Sequence, residues 1–312
     1  MIKKLIKSGV LFISNPQYRI KICDWLKMYK NLSDKEYLSK MYYCCFGKKI
    51  NFDDPKTFNE KIQWLKLNDR RSEYTLFVDK YEVKNIISKQ LGEEFIVPTY
   101  GVWNYFEEID FSVLPNQFVL KTTHDSGGVV ICRDKRTFDL NKAKKIINHS
   151  LKNNYYEYRR EWPYKNVKPR IIAEMLLGSA DQEIDDYKVH CFNGEPKMTL
   201  VCSDRHSQSG LTEDFYDNNW NHLNLKRPGV SNSKRTHKKP ERFEEMLFIS
   251  KKLSKNYPFL RVDFYVTDDS IYIGELTLYP ASGFDGFEPE EWDMVLGEWI
   301  DLSKEKMKMH YE

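Results

Sequence analysis

The sequence predicts an α+β protein in which two lobes of mixed helices and strands follow a mostly helical N-terminal region. Three observations lead there. At 312 residues the chain is long enough for two or three compact units. Its apolar content of 41% and aromatic content of 14% belong to a folded chain, not a disordered one. Helical apolar spacing and short β-type runs also recur in two successive sets, which divide the chain at residues 1–75, 76–177 and 178–312.

The N-terminal region reads as helix. In "DPKTFNEKIQWLKLNDR", Phe58, Ile62 and Leu65 fall on one helical face, and Thr57 with Glu60 forms a capping box. "VDKYEVKNIISKQLG" places Val83, Ile86, Ile87 and Leu91 on one face, with Asp79 as N-cap and Gly92 as stop. "EEFIVPTYGVW" is expected as a short strand and "NQFVLKTTHDSGGVVICRD" as a hairpin. A helix over "DLNKAKKIINHSLKNNYYEYRR" and a strand over "KPRIIAEMLLG" complete the first lobe.

The second lobe begins with "DYKVHCFNGEPKMTLVCSDR", two strands around an Asn193-Gly194 turn. Residues 203–240 are polar and basic and read as loop. A helix over "RFEEMLFISKKLSKNY" leads into a hairpin, "LRVDFYVTDDSIYIGELTLYP", and "PEEWDMVLGEWIDLSKEKMKMH" closes the chain as helix.

Charge and cysteine usage exclude several classes. Basic and acidic residues nearly balance, 49 to 46, so overall charge gives no reason to expect a nucleic-acid partner. The six cysteines contain no C-x-x-C pair and suit reduced thiols in a cytoplasmic protein. The start "MIKKLIKSGVLFIS" is too short in its apolar part to span a bilayer and lacks a signal-peptide cleavage pattern. Two readings of residues 1–14 remain: a basic helix resting on the inner face of the plasma membrane, or a helix docked on the protein body.

The second-lobe hairpin carries charges where a core strand should be apolar. With a three-residue turn at Asp268, Asp269 and Ser270, Asp263 pairs with Glu275 and Arg261 with Thr277. Val262, Phe264, Val266, Tyr272, Leu276 and Leu278 then share one face, and Arg261, Asp263, Tyr265, Glu275 and Thr277 the other. Two carboxylates roughly 5 Å apart repel unless a cation compensates them. Arg261 supplies part of that charge, and a divalent cation held by hard oxygen ligands is the expected remainder. A salt-bridge cluster is the simpler alternative. Upstream, Lys121 ends an apolar strand before "TTHDSGG", a small turn whose backbone N–H groups suit phosphates or serve only as a hairpin turn.

In order, these pieces resemble the ATP-grasp superfamily. "RVDFYVTDDSIYIGELTLYPASGF" is similar to the metal-binding hairpin of D-alanine–D-alanine ligases. "DKYEVK" resembles the start of a lysine-bearing helix, "FVLK" with "SGG" the lysine strand and glycine-rich loop, and "IIAEMLLG" the adenine linker. Together with "DPKTFNEKIQWLKLNDR" and "DYKVHCFNGEP", they make the chain similar to the TupA-like ATP-grasp proteins of bacterial surface polysaccharide synthesis.

The resemblance implies two lobes clasping ATP and magnesium. Lys80 and Lys121 would contact the phosphates, under a loop of Ser126, Gly127 and Gly128. Glu174 and Leu176 would meet the adenine, with Glu183 or Asp186 on the ribose. Asp263, Glu275 and Thr277 would hold magnesium, with one firm site and a second forming only with ATP. Arg261 would stabilise the reacting carboxylate, and Lys188 would reach the γ-phosphate. His124, Arg205 and Asp217 are candidate substrate contacts, while His190 and Cys191 read as packing.

The implied activity is ATP-dependent carboxylate–amine ligation, joining an amino acid to a uronic-acid-containing saccharide or nucleotide sugar. The basic run Arg227, Lys234, Arg235, His237, Lys238 and Lys239, with Tyr216 and Trp220, suits an acidic saccharide or simply a solvated, pinned loop. A sugar kinase using the same nucleotide site, or a non-catalytic nucleotide-binding module, are the alternatives.

Overall fold

The computed structural model describes residues 11–125, 127–178, 184–204, 210–267, 269–303 and 305. Helix α1 spans Pro16–Trp25, and α2 spans Asp34–Phe46 behind a Ser33–Glu36 capping box. Helix α3, Phe58–Asn68, starts on the expected Thr57–Glu60 box, and Phe58, Ile62 and Leu65 are all buried. Helices α4 (Glu73–Val78) and α5 (Glu82–Leu91) follow. Helix α5 begins later than expected because Asp79 caps a preceding turn: its carboxylate accepts from the N–H groups of Tyr81 (2.9 Å) and Glu82 (3.3 Å). Gly92 ends α5 as expected, donating its N–H to the Ser88 carbonyl.

The first sheet takes the order β1-β4-β2-β3, from Thr99–Trp103, Ile171–Glu174, Phe118–Thr122 and Val129–Cys132, with helix α6 (Leu140–Ser150) beside it. β4, the last strand of the first lobe, lies inside the sheet, with β1 and β2 paired to its two edges.

The second sheet takes the order β7-β6-β5-β8-β9. Strands β5 (Asp186–Phe192) and β6 (Glu195–Ser203) meet at the expected turn, where Asn193 and Gly194 both adopt positive φ (50° and 84°). β7, Thr212–Asp217, lies inside the segment read as loop. Its sequence "TEDFYD" looks solvated, yet Glu213 and Asp214 are buried because partners answer their charges. Glu213 takes the Arg227 guanidinium, and Asp214 takes His222 and Asn232 (both 3.0 Å).

After helix α7 (Phe243–Ser254) come β8 (Phe259–Val266) and β9 (Ile271–Thr277). Their charged end pairs as expected: Arg261 with Thr277 and Asp263 with Glu275. A bulge then shifts the register, so Phe264 faces Ile273 and Val266 faces Ile271. The expected three-residue turn is therefore replaced by a longer one at 267–270, closed by Thr267 N–H on the Ser270 carbonyl (2.9 Å). Asp268 lies outside the described residues. The bulge centres on Gly274, where a Cβ would stand 2.7 Å from the Tyr265 ring. It inverts the facing of β9, so Ile271 and Ile273 join Leu276 and Leu278 in the core and Tyr272 does not.

Helix α8 is Trp292–Glu298, shorter than the closing helix expected; residues 304 and 306–312 lie outside the described part. The main core joins Phe58, Ile62, Leu65, Tyr74 and Phe77 of α3 and α4 to the inner face of the second sheet. Edge-on aromatic pairs such as Phe58–Phe259 (5.3 Å between centroids) add about 1 kcal/mol each beyond simple burial. Among the described residues no helix is long and apolar enough to cross a membrane.

Candidate active site

Strand alternation gathers the second lobe's charged residues onto one face. Asp186 and Lys188 of β5 lie opposite Tyr265 and Asp263 of β8, and Glu275 and Thr277 of β9 continue the row. Arg261 donates from Nε and Nη2 to the two oxygens of Asp263 (2.6 and 2.7 Å) and from Nη2 to Glu275 Oε1 (2.9 Å). Lys188 Nζ bridges Asp263 (2.5 Å) and Asp186 (2.6 Å), and Thr277 donates to Glu275 Oε1 (2.7 Å). Burial opposes the Asp263 charge, but Arg261 and Lys188 overcome it and hold its carboxyl below the ordinary range. Asp186 moves the other way, raised by burial.

Among the described residues, no group of three or more His, Cys, Asp or Glu side chains is arranged to hold a metal alone. The donor set nevertheless suits a magnesium ion that draws part of its shell from phosphates. Asp263 and Glu275 present hard oxygens across one register position, and the bridging guanidinium marks the place where positive charge is required.

The first lobe supplies a facing set of cations. Lys121 of β2 pairs with Glu174 Oε2 (2.7 Å), and Lys84 of α5 pairs with Oε1 of the same carboxylate (2.6 Å). Against the burial that would raise it, Lys121 and Lys84 hold Glu174 down to about 2. Burial lowers Lys84, whereas for Lys121 the negative charge of Glu174 outweighs burial and raises it. Lys80 Nζ donates to the Asp125 carbonyl; burial pushes its pKa down against the charge of Glu275. Glu275 acts on Lys121 as well, so charges of the two sheets influence one another.

The glycine loop is held from beneath. The Asp125 carboxylate accepts from Thr122 (2.5 Å), Ser150, and the N–H groups of Gly127 (3.3 Å) and Gly128 (3.1 Å). At Gly128 a Cβ would lie 2.1 Å from Thr122 Oγ1 and 2.3 Å from Ser150 Oγ, whereas at Gly127 nothing lies within 4 Å. His124 is buried, with Nε2 on the Ser150 and Asn153 carbonyls (3.2 and 3.1 Å). Leu176 is half-buried just after β4. Asp217 closes the turn after β7, accepting from Asn219 and Asn221 N–H (2.9 and 2.8 Å). Ser126, Glu183 and Arg205 lie outside the described residues.

A cleft of about 150 Å³ continues from the charged row across the same sheet face. Lys188, His190 and Arg261 line its β5–β8 side, and Met198, Leu200 and Phe215 its apolar floor. At the β7 side Glu213 and Asp285 flank Arg227, whose Nε donates to Glu213 (2.6 Å) and Nη1 to Asp285 (2.8 Å). His190, read from sequence as packing, is buried and neutral: burial, then the Arg261 charge, pushes its pKa well down, and Nδ1 meets the Lys188 carbonyl (3.0 Å).

The basic segment that follows is largely satisfied within the fold. Arg235 meets Asp185 (2.5 Å) and Lys239 meets Glu244 (2.6 Å). Tyr216 and Trp220, considered as stacking platforms for a saccharide, stack on each other at 4.5 Å, and Trp220 donates to the His237 carbonyl (2.9 Å). Their faces are spent on pinning the loop. Sequence reasoning missed Lys84, although it stands in the quoted "DKYEVK" one helical turn after Lys80. It also missed Glu213 and Asp285, which carry no local signal.

No curated protein matches the chain in sequence. Among solved structures it is similar to the D-alanine–D-alanine ligase of Bacillus anthracis in complex with ATP (17% identity, 76% of this chain and 69% of that one, TM-score 0.43). The ligase of Helicobacter pylori gives 15% identity over 78% and 69%, TM-score 0.40. An N5-carboxyaminoimidazole ribonucleotide synthetase in complex with ADP gives 16% over 79% and 57%, TM-score 0.43. Residues 60–301 match the family described as TupA-like ATP-grasp, and the chain belongs to that family.

Proposed function

We propose that the chain is an ATP-dependent carboxylate–amine ligase that forms an amide through an acyl-phosphate. We further propose that it joins an amino acid to the uronic acid of a bacterial surface saccharide or nucleotide sugar. The observation that carries the ligase reading is the continuity of one sheet face. The Arg261–Asp263–Glu275 row runs with Lys188 into the adjoining cleft, and the Glu275 charge acts on Lys80 and Lys121. The saccharide rests on family membership alone.

In this reading Lys80 and Lys121 draw charge off the ATP phosphates, and the loop at Gly127 and Gly128 covers them. Asp263 and Glu275, with Thr277 beside them, would hold a magnesium ion that neutralises phosphate charge. The γ-phosphorus bonds to a substrate carboxylate oxygen as its bond to the ADP oxygen breaks. Arg261 and Lys188 steady the negative charge at that carboxylate. A neutral amine nitrogen then bonds to the acyl carbon and gives up a proton, as the bond from that carbon to the phosphate oxygen breaks and phosphate leaves. The cleft walls exclude the water that would hydrolyse the acyl-phosphate.

The test is incubation with ATP, magnesium, glucuronate-bearing acceptors and mixed amino acids. Amine-dependent ADP release with an amide product supports the proposal. ADP release that needs no amine and leaves a stable phosphorylated sugar overturns it in favour of a kinase. Asp263→Asn is expected to abolish turnover while circular dichroism reports a folded chain; undiminished turnover would remove Asp263 from the site.

A further inference from the structure

The chain's positive charge is concentrated at one end. Residues 1–30 contain seven basic residues and one acidic, leaving 42 basic and 45 acidic for the other 282. Near neutrality overall therefore hides a basic end on a slightly acidic body.

Within that basic end the structure exposes an apolar tip. Where α1 finishes, Trp25 is 78% exposed, Leu26 54% and Met28 65%. The tip is not a frayed end. Leu26 N–H donates to the Ile22 carbonyl (2.9 Å), Lys27 to Asp24 (2.8 Å) and Met28 to Cys23 (3.0 Å), while Cys23 is buried. The fold thus holds three large apolar side chains in water, although burying each would gain about 2 kcal/mol. Around them Arg19, Lys21, Lys27 and Lys30 are exposed, and Glu157 answers Lys27 (3.5 Å) and Lys30 (3.3 Å). A tryptophan and two aliphatic side chains framed by lysines match the interface of an anionic bilayer, where the rings sit at headgroup level and the ammonium groups meet phosphates.

We propose that the Trp25–Met28 tip docks the protein on an anionic lipid surface, with Lys21 and Lys27 engaging the headgroups. This places the contact on a structured tip, separate from the helix expected at residues 1–14, of which residues 1–10 lie outside the described part. It stands independently of the ligase reading.

Flotation of the full chain with vesicles tests it. Vesicles of phosphatidylcholine with about 30 mol% phosphatidylglycerol are compared with phosphatidylcholine alone, at about 0.1 M and about 1 M salt. The wild type is expected to float with the anionic vesicles at low salt only. Trp25→Ser with Leu26→Ser and Met28→Ser should lower partitioning more than about tenfold. Lys21→Ala with Lys27→Ala should lower it about 25-fold, at about fivefold per charge. Circular dichroism checks that both variants fold. Failure of the wild type to float overturns the proposal, as does floating of the triple serine variant like wild type. Self-association that the triple variant abolishes, without vesicle binding, would assign the tip to a second copy of the chain instead.

Discussion

Glu174→Gln is the substitution for which the structure gives the clearest magnitude. The carboxylate is buried between Lys84 (2.6 Å) and Lys121 (2.7 Å), and its pKa falls from an ordinary 4.5 to about 2. That difference corresponds to about 3 kcal/mol of stability at neutral pH. For a carboxyl depressed in the folded state, the stabilisation is complete above about pH 4.5 and lost as pH falls toward 2. Glutamine keeps the shape, removes the charge and takes from two buried ammonium groups the carboxylate they share, so the cost is about 3–5 kcal/mol at pH 7. Urea unfolding followed by circular dichroism at pH 7, 5 and 3 reads the effect. The gap between wild type and variant should be nearly constant from pH 7 to 5 and lose roughly half its linkage component by pH 3. Adding Lys84→Met should recover part of the loss, because one uncompensated cation goes with it. A gap under about 1 kcal/mol at pH 7, or one unchanged down to pH 3, would refute the account of Glu174 as the anchor of both lysines.

Two further predictions follow from packing and burial. Gly128→Ala forces a methyl onto Thr122 and Ser150 and should cost about 1–3 kcal/mol, whereas Gly127→Ala meets open space and should stay within about 0.5 kcal/mol; equal effects in thermal unfolding would contradict the geometry. Lys66 is buried against the Ser282 carbonyl (2.7 Å), and burial brings its pKa down to about 7. Between pH 7 and 10.5 the unfolded chain keeps a proton that the folded chain has released. Stability should therefore rise with pH across that window in wild type but not in Lys66→Met, as urea midpoints will tell.

What the sequence made legible was whatever local chemistry dictates. The Thr57–Glu60 box and the Asn193-Gly194 turn use residues that few other conformations favour, so each appears where expected. The pairing of Asp263 with Glu275 was read from alternation around a three-residue turn, and it holds because the bulge offsets the longer turn. β7 stayed hidden because "TEDFYD" is polar until Arg227, His222 and Asn232 come from elsewhere in the chain to neutralise it. The bulge at Gly274 also escaped, since it depends on a ring from the neighbouring strand lying over that glycine. Period-two reading assumes uninterrupted pairing, and one extra residue inverts every position beyond it. Lys84 was in view but unassigned, because its role is fixed by a carboxylate ninety residues away.

The way α3 meets the loop after β9 bears on how the protein can be cut. Gln63 donates to the carbonyls of Ser282 (2.9 Å) and Gly283 (2.6 Å), and Lys66 to that of Ser282, fixing the segment whose Pro280 and Ala281 wall the cleft. Phe58, Ile62 and Leu65 meanwhile complete the apolar core under the larger sheet. A truncation that begins at residue 76 keeps both sheets yet strips the scaffold from one wall of the cleft. Such a fragment would expose a raw apolar sheet face and aggregate. Helix α3 is thus a keystone between the core and the cleft wall.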